Sequence, residues 1–305
     1  MHRRNVLGAA LAATALAGVV WLGAAVAGDP PPAVAPVAPP GPITAAVNAG
    51  KHVRIDGPRG PIHVWIPAGY HADTGATILY VHGYWDSADT AWTMHQLPEQ
   101  FALSALNAMF VVPEAPIQQR TPINYPEVGE ILRLVEDQTG VLRGAALTAA
   151  IGHSGAFRTL QAWLDEPLID QMVLVDAMYG DENLFAAWYS ASPRRRLINV
   201  GWDTLLGTEA LAAKLPDTVT IDRFPSSWDT WPTEARRARS LYIRSQLFHM
   251  PLVTDGVALP FLLRLLPVEL LPDLPWQLPL GSLPPLPPLP PLPDAGVDGA
   301  AAAAD

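Results

Sequence analysis

Short, apolar, β-branched runs alternate with longer stretches of helical period from residue 43 to residue 270. A strand followed by a connection of that length returns parallel to itself, so the pattern specifies an α/β fold, a mostly parallel central sheet with helices on both faces. Runs at 62–66, 76–81, 108–112, 146–151, 172–175, 197–200 and 219–224 read as strands, and segments 97–106, 128–138, 156–164, 183–190 and 205–214 as helices. In such a sheet the chemistry collects on loops at the carboxyl ends of the strands.

One of those loops carries the sequence Gly152-His153-Ser154-Gly155-Ala156, between the strand ending at Ile151 and the helical Phe157-Arg158-Thr159-Leu160. A serine on so sharp a strand-to-helix turn needs very small residues two positions to either side, and Gly152 and Ala156 supply them. Ala156 replaces the second glycine of Gly-x-Ser-x-Gly at the cost of one methyl group. The turn aims the N–H of Gly155 and the start of a helix at negative charge developing beside Ser154.

With those residues in view, the span from about 51 to 268 resembles the α/β-hydrolase superfamily, and residues 43–270 are read as one such domain. Leu79-Tyr80-Val81-His82-Gly83-Tyr84-Trp85 is similar to the strand and His-Gly turn that supply the second oxyanion donor there. The resemblance thus implies the N–H of Tyr84 as that donor, with Gly83 giving the chain room to turn. Phe110-Val111-Val112-Pro113-Glu114-Ala115-Pro116 is similar to the next strand and its exit loop.

A serine hydroxyl needs a base oriented by a carboxylate, and in this fold the order along the chain is Ser, acid, His. Of eight histidines only His249 follows Ser154. Two aspartates stand at strand ends: Asp203, after Leu197-Ile198-Asn199-Val200-Gly201-Trp202, is ranked slightly ahead of Asp176, after Met172-Val173-Leu174-Val175. Asp181 and Asp222 fit less well. His52, His63 and His71 lack metal-ligand spacing, and neither metal nor cofactor is expected. His82 and His153 read as structural neighbours of the oxyanion site. Tyr84, Trp85, Trp92 and Trp202 are pocket-wall candidates weighed against ordinary core roles.

Composition trims the remaining classes. The absence of cysteine excludes thiol nucleophiles, thiolate metal sites and disulfides, and a net charge of −10 argues against nucleic acid and anionic membrane surfaces as partners. Residues 1–28 pair Arg3 and Arg4 with an uncharged apolar run and Ala25-Val26-Ala27. They read as an export signal of twin-arginine type to the periplasm or exterior, with an uncleaved membrane tether as second choice. Residues 29–42 form a proline-rich linker, and 271–305 a Pro/Leu-rich low-complexity tail whose contacts are not specified. The expectation is an exported serine hydrolase of small-molecule or lipid-like carboxylic esters. Peptide hydrolysis or acyl transfer by the same groups, and a non-catalytic binding protein on the same fold, stand as alternatives.

Overall fold

The computed structural model describes residues 41–215 and 217–275; the segment expected to direct export, nearly all of the expected linker and the tail from 276 onward lie outside the described residues. The elements in chain order are α1 (Pro42–Ala49), β1 (Lys51–Gly57), β2 (Gly60–Ile66), β3 (Ala76–Val81), α2 (Ala88–Met94), α3 (Leu97–Ser104), β4 (Ala108–Pro113), α4 (Val128–Thr139) and β5 (Leu147–His153). They continue through α5 (Phe157–Ala162), β6 (Ile169–Val175), α6 (Glu182–Ser190), β7 (Arg196–Gly201), α7 (Leu205–Lys214), β8 (Thr218–Ile221), α8 (Thr233–Arg237), β9 (Ser240–Arg244), α9 (Pro251–Thr254) and α10 (Ala258–Arg264). Among these, no helix is long and apolar enough to cross a membrane.

The strands form one sheet in the order β1-β2-β4-β3-β5-β6-β7-β9-β8. Only β1 with β2 and β2 with β4 run antiparallel; every later pairing is parallel. Central strands are apolar throughout because both their faces are covered, and alternate residues serve opposite cores. Ile78, Tyr80, Phe110, Ile151 and Val173 face a cluster closed by α2, α3, α8, α9 and α10, through Trp92, Phe101, Ala235, Val253 and Leu262. Leu79, Val111, Ala150, Met172 and Leu174 face another closed by α4 to α7, through Ile131, Leu160, Phe185 and Leu211.

Several boundaries depart from the sequence pattern. The helix expected over 97–106 ends at Ser104, because Ala105 turns left-handed at φ 52°. The strand expected over 219–224 covers Thr218–Ile221 and lies at the sheet edge beside β9. Strand β9 and the hairpin strand β1 are additions. Both are short and mix polar with apolar residues, so neither shows an apolar run.

Candidate active site

Strand β5 delivers Ser154 into a one-turn 3-10 segment, Ser154–Ala156, that runs straight into α5. Its backbone sits at φ 55°, a left-handed conformation that a non-glycine residue holds only when its surroundings enforce it. The enforcement is local packing. A methyl group on Gly152 would lie 2.6 Å from Leu160 Cδ1 and 2.9 Å from Ala156 Cβ, so glycine there is what leaves room for the alanine. One on Gly155 would fall 2.4 Å from the Tyr84 ring, and one on Gly83 only 2.8 Å from Ser154 Cβ. The β3 exit loop and the serine turn therefore touch through two glycines. His82 braces that loop: its Nε2 accepts from the N–H of Ala115 at 3.0 Å and its Nδ1 lies 2.8 Å from the carbonyl of Gly83. The N–H of Tyr84 makes no hydrogen bond among the described residues.

His249 lies beyond β9, on the loop before α9, and reaches back over the sheet. Its Nδ1 is 2.6 Å from Oδ2 of Asp176, which stands right after β6, fully buried, at φ 47°. Asp203 is the more distant acid, 3.7 Å from the same nitrogen with its side chain 59% exposed. The geometry thus reverses the sequence ranking of the two aspartates. Asp176 also accepts from the N–H groups of Trp202 (2.9 Å), Asp203 (3.1 Å) and Thr204 (2.9 Å), and from the Thr204 hydroxyl (2.8 Å). Burial would push this carboxyl up, but the hydrogen bonds from His249, Trp202, Thr204 and Asp203 outweigh it and hold the pKa at about 2. It is ionised at neutral pH and fixes His249 by its Nδ1–H, leaving Nε2 as the basic nitrogen.

His153, read from sequence as a structural neighbour, sits directly under His249. Its ring centroid is 4.5 Å from that of His249, and its Nε2 is 3.2 Å from the His249 carbonyl, as a donor would be. Burial, then the nearby His249 and His95, push its pKa down to about 3, so the ring is neutral. The sequence signal was its place inside the serine motif. Tyr179 was missed altogether. It follows Asp176 by three residues and its phenol faces Ser154, an interaction that opposes the upward push of burial on its pKa.

These residues open onto a cavity of about 820 Å³ lined by Tyr84, Trp85, Ser154, Phe157, Tyr179 and His249 among others. Trp85 is 82% exposed at its mouth. The other two aromatic candidates lie elsewhere: Trp92 is buried against the rings of His52 and His63, and Trp202 packs on Phe248. Asp181 holds Gln161, and Asp222 pairs loosely with Arg244, so neither approaches His249. Asp176, Asp203 and His249 bring three donor atoms within 4.8 Å, a spacing a cation would accept. Both oxygens of Asp176 are already committed to five donors, however, so the set is a poor fit to a metal.

A sheet of this order, with its serine on a left-handed turn after β5 and a histidine after the last parallel strand of the central order, is the α/β-hydrolase fold. No protein-family model matches the chain, and no curated protein matches it in sequence. Among solved structures it is similar to a feruloyl esterase module of Clostridium thermocellum complexed with sinapinate (14% identity, TM-score 0.48, 70% of this chain and 88% of that one). It is also similar to a carboxyl esterase of Tuber melanosporum (13%, 0.44, 70% and 84%) and a dienelactone hydrolase of Anabaena variabilis (14%, 0.41, 71% and 95%). Likenesses this distant assign neither substrate nor mechanism, so the chemistry has to come from the side chains.

Proposed function

We propose that the protein is an exported serine hydrolase of carboxylic esters, with Ser154 as nucleophile, His249 as base and Asp176 as the orienting acid. The observation that carries this reading is the short His249 to Asp176 hydrogen bond over a cavity that Ser154 also lines. His249 Nε2 takes the Ser154 proton as Oγ attacks the acyl carbon. The oxyanion is met by the N–H groups of Gly155 and Tyr84, with Gly83 letting the loop come close. Collapse of the tetrahedral intermediate passes that proton to the departing alcohol, and water then releases the acyl enzyme with His249 again as base. The buried, ionised Asp176 stabilises the imidazolium at each stage. Arg3, Arg4 and the apolar run behind them are the support for export.

Fluorophosphonate labelling and p-nitrophenyl ester turnover of the purified protein test it. Ser154→Ala and His249→Ala are expected to abolish labelling, Asp176→Asn to cut turnover by about 10⁴-fold, and Asp203→Asn to change it by no more than about threefold. A folded wild-type protein that neither labels nor turns over esters would overturn the enzymatic reading and leave a binding protein on this fold.

A further inference from the structure

At the other end of the parallel strands from Ser154, where β6 and β7 begin, lies a cavity of about 450 Å³ lined by six arginines: Arg194, Arg196, Arg236, Arg237, Arg239 and Arg264. No aspartate or glutamate is among the residues that line it, although the whole sequence has 19 basic residues against 29 acidic ones. Arg194 meets the carboxylate of Asp170 at 3.0 Å. Among the described residues, Arg196, Arg236, Arg237 and Arg239 pair with none.

What holds them is backbone and aromatic surface. Buried Arg196 donates to the carbonyls of Ala238 (2.7 Å), Arg236 (3.0 Å) and Leu265, where α8 and α10 end. Arg239 donates to the carbonyls of Arg195 and Tyr189 and lies 4.0 Å from the Tyr189 ring centre. Arg236 and Arg264 each stand 5.7 Å from the ring of Trp228. Helix-end carbonyls disperse part of the charge, but burial still lowers the Arg196 and Arg264 pKa values to about 10. A second, independent observation points the same way. Gln171, only 6% exposed, lines this cavity with its Oε1 buried and lacking any hydrogen-bond partner. An unpartnered acceptor beside unpaired guanidinium groups is the complement of an oxyanion that also carries a proton or hydroxyl.

We propose that this cavity binds a phosphate-class oxyanion, a phosphate or pyrophosphate group on a small molecule or a lipid headgroup, gripped by Arg196, Arg236, Arg237 and Arg239 with Gln171 accepting its hydroxyl proton. The planar forks of arginine suit the paired oxygens of phosphate better than lysine would, and no lysine lines the cavity. The site is independent of Ser154 and of the chemistry there.

Isothermal titration of the full chain with pyrophosphate, against sodium chloride at matched ionic strength, is the test. Wild-type protein is expected to bind saturably, and Arg236→Gln/Arg237→Gln to weaken binding by at least about tenfold with an unchanged near-ultraviolet circular dichroism spectrum. Gln171→Leu, a conservative change in shape, is expected to weaken it to a smaller extent. Sedimentation with phosphatidylglycerol vesicles, with phosphatidylcholine as control, separates the sources. Arginine-dependent sedimentation identifies a lipid headgroup, whereas pyrophosphate binding without sedimentation identifies a soluble phosphate ester. A heat signal no greater than that of chloride, or equal affinity in the double variant, overturns the site.

Discussion

At the scale of single residues, the candidate active site depends on groups held in states they would not choose alone. Ser154 and Asp176 both occupy left-handed backbone, and His153 is kept neutral beneath His249. His153 has a consequence for stability that can be measured. The unfolded chain takes up a proton at this residue near 6.5, whereas the folded chain resists until about 3. Over that window the unfolded state binds more protons, so the contribution is complete above 6.5 and drains away as the pH falls. Asp176, depressed from 3.8 to about 2, extends the same loss to lower pH. His153→Gln is therefore expected to flatten the fall of Tm between pH 6.5 and 3. A slope as steep as that of the wild type would place the acid sensitivity in another group.

At the scale of elements, what was legible in the sequence was what local pattern controls. Apolar runs located the central strands, and the small residues around Ser154 located the turn. Strand β9 escaped because Ser240-Leu241-Tyr242-Ile243-Arg244 is too short and mixed to stand out, and α2 because its start is marked by a capping box and not by apolar period. There the Ser87 hydroxyl accepts from the N–H of Thr90, and the Thr90 hydroxyl from that of Ser87. Ser87→Ala is expected to cost about 1 kcal/mol, seen as a Tm lower by about 2–4 °C in thermal unfolding. The choice between Asp176 and Asp203 was beyond local pattern for a different reason. Both end strands in the required order, and what separates them is a contact across 73 residues of chain, fixed by how β6, β7 and the loop after β9 come together. The arginine cavity was invisible for the same reason, since its members come from β7, α8, α10 and the connections leading into β7 and β9.

At the scale of the whole molecule, one sheet with a core on each face carries both candidate sites at opposite ends of its parallel strands. Phe101 stacks on Phe110 with ring centres 4.3 Å apart and anchors the core shared by α2, α3 and α10. Phe101→Ala is expected to cost about 3–5 kcal/mol in denaturant unfolding, with the slope against denaturant unchanged. The two oxygens of Asp176 have a role at this scale as well. They fasten together the end of β6, the turn that opens α7 and the loop bearing His249, three stretches that the pairing of β6, β7 and β9 brings side by side. The residue is a clasp as well as the proposed acid: whatever removes its charge loosens the histidine's loop and leaves three backbone amides without their acceptor. Loss of His249's alignment and loosening of that corner of the fold are then a single event, and neither can be tuned without the other.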